Sequence, residues 1–490
     1  MSSTAKTKQV TEFGDFQTPH NLARNACDLL AKSGFQPTTI IEPTCGLGNF
    51  LLAALEQFPS FSKAIGVDIS PVYVKDVNSL IESRRDKERI EIIESDFFKT
   101  DWLGVLLDLP EPLLVIGNPP WVTNANLSVL KSANVPEKSN FQKHSGFDAM
   151  TGKSNFDISE WMLIQVMHWL NNRNAVMAML CKTAVARKLL KYAWKNDLSL
   201  SDSSIYRLDA SLHFGASVDA CFFICRFSPF ARKPHCQVYD SFDSEITQTI
   251  AYRDNELVAS LQLFERWQHL RGDNNKWRSG IKHDCSKVME LIREGDKYRN
   301  GFGELVELET DFIYPMLKSS DIANGSATVP KRWMLVTQKS VRDDTSQIAS
   351  KAPKTWGYLQ KYAHLLDKRG SSIYKNRPEF SVFGVGDYSF SPWKIAISGF
   401  YKKLCFKTVG KYENKPIVLD DTSYFIPCKT QEEAKRIAKL LNSPIAKEFF
   451  EARIFWDAKR PITIDILRQL DLEKLDLLYY GAVTTSSHSQ

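Results

Sequence analysis

The chain has 490 residues, 43% hydrophobic and 24% charged, with a formal net charge of +6. Its length favours two or three domains over a single core, and its composition is that of an ordinary soluble protein able to bury a sizeable core. The mild basicity permits a polyanionic partner without requiring one.

No stretch approaches the length of a membrane span, so no membrane contact is expected. Met1 to Val10 is polar and basic without an apolar core, and does not read as a signal peptide. Cys27, Cys45, Cys181, Cys221, Cys225, Cys236, Cys285, Cys405 and Cys428 are scattered without paired zinc-site spacing. That odd count points to reduced thiols in a cytoplasm. Cys221 and Cys225 fall in an apolar strand-like run and read as core.

Between Thr38 and Phe227, short apolar runs alternate with helical patterns. Ile40-Ile41 ends a short strand, and Asn49 to Phe58 reads as a helix. Ala64 to Ile69 is a strand, Val72 to Arg84 a helix, and Ile90 to Ile93 a strand. Leu113 to Ile116 is a strand closed by Gly117. Ser159 to Leu170 reads as a helix, Ala175 to Leu180 as a strand, Thr183 to Trp194 as a helix, and Cys221 to Phe227 as a last strand. This alternation predicts an α/β fold with a doubly wound, mostly parallel sheet over residues 12–230. Pro229 and Pro234 mark a boundary, and residues 231–252 read as a linker. Leu257 to Leu270 looks helical, and residues 253–483 read as a second, mixed α+β domain.

Ile40 to Phe50 reads as a strand, a glycine turn and a helix. Gly46 and Gly48 tolerate backbone angles closed to other residues and let a ligand approach closely. The free amides of the helix suit a carboxylate. Asp68 follows about twenty residues on, at a strand end, where an acidic side chain accepts from a ribose diol. The third glycine of the dinucleotide fingerprint is missing, and no phosphate-loop lysine follows. Gly46-Leu47-Gly48 alone reads equally as a tight turn; Glu42 before it and Asp68 after it favour a cofactor. Asp96, in Ser95-Asp96-Phe97-Phe98, suits an adenine amine, with an aromatic or apolar neighbour covering the ring; it reads equally as a helix cap.

The order Glu42-Pro43-Thr44-Cys45-Gly46-Leu47-Gly48, Asp68, Asp96 and Asn118-Pro119-Pro120-Trp121 resembles the amino-methylating DNA methyltransferases. Asp15-Phe16-Gln17-Thr18-Pro19 resembles the segment that, in this family, packs over the methionine part of the cofactor. Its place before the glycine motif is the gamma-type order of adenine-specific (N6) enzymes from restriction-modification systems. The resemblance covers nearly all of residues 12–227. It implies a class I methyltransferase fold and S-adenosylmethionine, with Phe16, Thr18, Pro19, Glu42, Thr44, Gly46, Gly48, Asp68, Ile69, Asp96, Phe97 and Asn118 around that cofactor. Within that set, Glu42 and Asp68 hold amino and ribose groups, and Asp96 with Phe97 holds the adenine.

The tetrapeptide fits that chemistry. Adenine's exocyclic nitrogen is a poor nucleophile, because its lone pair is delocalised into the ring. Two acceptors on its hydrogens favour a more tetrahedral nitrogen. The Asn118 side-chain oxygen and the Pro119 carbonyl are suited to be those acceptors. Pro119 and Pro120 stiffen the loop and preset both oxygens. Trp121 offers a face for an extruded base. Direct in-line transfer is expected, without a covalent intermediate or a metal. Alone, the tetrapeptide also reads as a proline turn after a strand, and its logic serves enzymes acting on RNA or on protein glutamine equally well.

Phe214 is the candidate to face the flipped base opposite Trp121; it reads equally as core. Lys182 is an exposed lysine or a phosphate contact. Val122 to Ser154, with Lys131, Lys138, Lys143, His144 and Lys153, is a long loop suited to ordering around DNA. Asp157 and Glu160 read as helix-start residues.

In the second domain, Trp277 to Cys285, Tyr314 to Asp321, Phe383 to Tyr388 and Ile397 to Lys403 combine glycines, aromatics and cations. They resemble target-recognition regions of restriction-modification methyltransferases, and imply contact with double-stranded DNA. His283, Asp284 and Cys285 are adjacent and cannot easily all ligate one ion, so a structural role is expected. Lys351, Lys354, Lys361, Lys368, Arg369, Lys375 and Arg377 form a basic stretch that suits DNA or a solvated helix face. No nuclease core is evident; a cognate endonuclease would be a separate chain. The sequence thus predicts a sequence-specific adenine DNA methyltransferase. The alternatives are an RNA or protein-glutamine methyltransferase, or a non-catalytic reader on the same fold.

Overall fold

In the computed structural model, which describes residues 17–121, 157–325 and 329–486, the apolar runs of the first half become strands of one sheet. β1 (Thr39–Glu42), β2 (Lys63–Asp68), β3 (Ile90–Glu94), β4 (Leu113–Gly117) and β5 (Ala175–Lys182) pair in parallel in the order β3-β2-β1-β4-β5. β6 (Leu200–Asp209) and β7 (Asp219–Phe227) form an antiparallel pair, and β7 lies antiparallel against β5. β8 (His235–Tyr239) adds in parallel to β6, and β9 (Ile246–Arg253) and β10 (Glu256–Val258) follow antiparallel.

Strands β1, β4 and β5 are almost wholly buried, as expected for parallel strands covered on both faces. Leu114, Ile116, Val176, Ala178, Leu180, Phe222 and Ile224 alternate along their strands. They form one core with α1 (His20–Lys32) and α2 (Asn49–Gln57). The intervening Val115, Met177, Met179 and Phe223 are buried too. Further helices are α3 (Pro71–Ile81), α4 (Trp102–Leu106), α5 (Ile158–Leu170), α6 (Thr183–Lys195) and α7 (Ala210–Phe214); α5 and α6 both pack on β5.

Three expectations change. Residues 231–252 are not a linker, because His235–Tyr239 and Ile246–Arg253 extend the first sheet with Cys236, Val238 and Ile250 buried. Pro229 and Pro234 sit in the loop between β7 and β8. The chain divides later, between Leu261 and Gln262. The helix expected from Leu257 is shorter, running Leu261–Trp267 after strand β10.

The second unit is mixed α+β. One four-stranded sheet holds Arg278–Ser279, Trp393–Ser398, Lys407–Val409 and Ser423–Cys428. A six-stranded sheet is centred on Glu290–Glu294, Ile313–Leu317 and Arg332–Leu335. Ile395, Ile397, Phe449 and Phe450 anchor one core, and Met316, Trp333 and Leu335 another. Among the described residues, no helix is long and apolar enough to cross a membrane.

Candidate active site

Glu42 ends β1, Asp68 ends β2, Asp96 stands two residues beyond β3, and Asn118 directly follows β4. Four neighbouring parallel strands therefore bring these side chains to one carboxyl edge. The sheet's winding reverses between β1 and β4, the place where open α/β sheets bind ligands.

The glycine turn is tied on three sides. The Cys45 amide donates to the Val67 carbonyl at 2.8 Å, and the Gly48 amide to the Cys45 carbonyl at 2.7 Å. Gly48, at φ 74°, opens α2 in a left-handed conformation that a side chain would strain. The Leu47 amide donates to Gln17 Oε1 at 3.3 Å, and Asn49 Nδ2 donates to the Thr18 carbonyl at 2.9 Å. Gln17 and Thr18 thus lie at the turn, with Pro19 next in the chain. Phe16 lies outside the described residues. Thr44 is half-buried within the turn.

Glu42 is buried, and its Oε2 accepts from the Leu51 amide at 2.7 Å. Burial pushes its carboxyl well above the usual range, and the nearby Asp68 charge adds to the shift. A cation beside it would offset both effects. Asp68 accepts from the Gly46 amide at 2.7 Å and the Ser70 amide at 2.8 Å. Ile69 beside it is 47% exposed, leaving apolar surface at the strand end.

Asp96 does cap the turn after β3, accepting from the Phe98 amide at 2.9 Å. Its other oxygen lies 3.8 Å from Lys99. Phe97 is buried, with Trp102 and Trp169 at centroid distances of 5.4 and 5.5 Å. Its ring is held in an aromatic cluster, and Ile69 is the more exposed apolar neighbour.

Asn118 and Pro120 are half-buried, Pro119 is buried, and Trp121 is 6% exposed. Trp121 meets Phe214 edge to face with centroids 5.1 Å apart. Asp209 caps the short helix α7, accepting from the Leu212 amide at 3.0 Å, and Gly215 ends it at φ 63°. Phe214 therefore stands on a braced turn beside the tetrapeptide.

Lys182 is half-buried, where an exposed lysine is one of the two expectations. Its ammonium hydrogen-bonds to the Asp157 carboxylate, and to the Trp121 carbonyl at 3.2 Å. Asp157 caps α5 as expected, and Glu160 in its first turn pairs with Lys188 at 2.6 Å. The lysines of residues 131–153 lie outside the described residues.

In the second unit the glycine-rich runs meet one another. The Gly280 amide donates to the Ser423 carbonyl at 3.0 Å, and a Cβ there would stand 2.0 Å from the Asp420 carbonyl oxygen. Lys282 and Phe383 exchange backbone hydrogen bonds at 2.8 and 2.9 Å. The Arg278 guanidinium covers the Tyr388 ring at 5.3 Å. Phe400 and Tyr401 remain about 40% and 39% exposed, beside exposed Lys402 and Lys403. His283 is structural: its Nδ1 accepts from the Cys285 amide at 3.1 Å, and its Nε2 lies 3.4 Å from Glu290.

The basic stretch is largely spoken for. Lys354 pairs with Glu307, Lys361 with Glu304, and Lys351 bonds to Gln347. Arg369 lies over Tyr374 at 3.8 Å and donates to the His283 and Ser381 carbonyls. Lys368, Lys375 and Arg377 stay exposed.

No protein-family model matches the chain. The fold resembles the Type IIL restriction-modification enzyme MmeI, solved in complex with DNA. That likeness has a TM-score of 0.55 at 13% identity, over 92% of this chain and 64% of that one. Sheet order and site together define a class I methyltransferase fold. The chain is 45% identical over 470 residues to Type II methyltransferase M.NspV of a Nostoc species, covering 96% of this chain and 98% of that protein. Type II methyltransferase M.CvrRI of a Paramecium bursaria Chlorella virus is 35% identical over 117 residues, 24% of this chain and 26% of that one. The chain belongs to the Type II methyltransferases, the DNA-modifying enzymes of restriction-modification systems.

Proposed function

We propose that this enzyme methylates the N6 amine of adenine in double-stranded DNA, using S-adenosylmethionine. The observation that carries the reading is the placing of Asn118-Pro119-Pro120-Trp121 at the end of β4, beside Glu42, Asp68 and Asp96 at the ends of the three neighbouring strands.

The donor set fits that cofactor. The buried Glu42 carboxyl suits an ammonium, Asp68 a ribose diol, and the exposed face of Ile69 an adenine ring, with Asp96 for its amine. Phe97, next to Asp96 in the chain, is held in the cluster with Trp102 and Trp169. When bound, S-adenosylmethionine supplies an electrophilic methyl group. The protein supplies acceptors. The Asn118 side-chain oxygen and the Pro119 carbonyl would accept hydrogen bonds from the two amine hydrogens of an extruded adenine, turning its lone pair outward, and the proton lost from the methylated amine would pass to solvent. Trp121 and Phe214, set edge to face, form the aromatic wall of the base pocket. Transfer is direct, and its rate comes from positioning.

The second unit serves as the target-recognition domain, with Phe400 to Lys403 its most exposed aromatic and basic turn. The setting is the cytoplasm, and a cognate endonuclease is a separate chain. Methyl-labelled cofactor offered with unmethylated DNA, RNA and protein tests the reading. Label in DNA alone is expected; label in RNA or protein instead would overturn it.

A further inference from the structure

Strand β5 holds both ends of the tetrapeptide. Met179 pairs in register with Gly117, immediately before Asn118. Three residues along the same strand, Lys182 donates to the carbonyl of Trp121, the last residue of the tetrapeptide, at 3.2 Å. The same ammonium is bound by Asp157, whose side chain is 7% exposed against 22% for Lys182. The remaining Asp157 oxygen accepts from the Ser159 amide at 3.1 Å and the Ser159 hydroxyl at 2.6 Å, which caps α5. Mostly withdrawn from water, this charge-assisted pair is geometrically stiff.

We propose that Lys182, held by Asp157, is a positioning residue for methyl transfer. It pins the exit of the tetrapeptide to the sheet, so that the Pro119 carbonyl stays aligned with the Asn118 side chain. This role rests on the proposed function of those two oxygens as the amine acceptors. Two of the lysine's three donors are committed to Asp157 and Trp121. Prolines stiffen the loop internally, but only an external tie fixes it relative to β5.

The test is steady-state and single-turnover methylation by the full chain, counting every methyl group placed in DNA whatever the base. A cytosine product would then overturn the adenine reading and leave this one testable. Lys182→Met should lower turnover by about a hundredfold, the effect of roughly 1 Å of misplacement. Cofactor affinity and KM for DNA should move less than about threefold. Lys182→Arg should recover most of the loss. Asp157→Asn, which keeps the cap acceptor and removes the charge, should show the same selective fall. Combined with Lys182→Met it should add little, as expected for one interacting unit. If Lys182→Met does not fold, Asp157→Asn carries the test. Unchanged turnover in the folded variants would overturn the proposal. So would a raised KM with a salt dependence shallower by about one ion, the signature of a phosphate contact. A fall in turnover matched by the lost folded fraction would also overturn it.

Discussion

The carboxylate of Asp68 accepts a hydrogen bond from the backbone amide of Gly46 at 2.7 Å, joining the end of β2 to the glycine turn after β1. Its second oxygen takes the Ser70 amide at 2.8 Å. A carboxylate has about four acceptor positions, so Asp68 can brace the turn and still receive a ribose diol.

Asp68→Ala removes both functions. Affinity for S-adenosylmethionine should fall by about ten- to a hundredfold, the loss of one or two charged hydrogen bonds. Isothermal titration checks this. Unchanged affinity would place the cofactor elsewhere.

Asn118→Ala leaves the strand and the prolines but removes one amine acceptor. Turnover should fall by at least about a hundredfold, in the range seen when one preset polar group is lost from an active site. Cofactor affinity should fall far less than turnover. Asn118→Asp keeps an acceptor oxygen and should retain more activity than the alanine variant.

Phe214 touches Trp121 but stands on another element, so it should act on the base and not on the cofactor. Phe214→Ala should lower kcat/KM for DNA by about tenfold, the scale of one stacked base. Phe214→Tyr should retain most of it. Cofactor titration should not distinguish the three proteins.

Glu42, Asp68 and Asn118 were legible because each follows a short apolar run, and strand ends in such sheets are where ligands bind. The tie of Lys182 to Trp121 was not, because residues 61 positions apart become neighbours only through the pairing of β4 with β5. Strand β6 is hard to read in the sequence because serines mask it: Ser203 is buried, with its hydroxyl donating to the His235 carbonyl at 3.2 Å. Helix α1 was readable, with Leu22, Ala23, Ala26, Cys27 and Leu30 on one face, yet no strand before it drew attention. The packing of Phe97 on Trp102 and Trp169 needs the fold.

Lys394 lies buried in the second unit, with Nζ 2.7 Å from the Ser391 carbonyl and 5.8 Å from the centre of the Phe425 ring. Burial lowers its ionisation to about 7. An unfolded lysine titrates near 10.4, so between about 7 and that value the unfolded chain binds the extra proton. Stability should therefore rise with pH across this window and be lowest below it. Lys394→Met should stabilise the protein at pH 7 and below, and should remove this part of the rise. Chemical denaturation of both proteins at several pH values checks it; parallel stability curves would contradict a buried amine whose ionisation is lowered.

The most direct test of the central claim is the identity of the methylated base. Unmethylated double-stranded DNA, treated with the enzyme and S-adenosylmethionine, is digested to nucleosides and analysed by mass spectrometry. The expected product is N6-methyldeoxyadenosine, formed at least about a hundredfold more slowly when Asn118→Ala replaces the enzyme. Methylation of cytosine, or no methylated nucleoside from DNA at all, would contradict it.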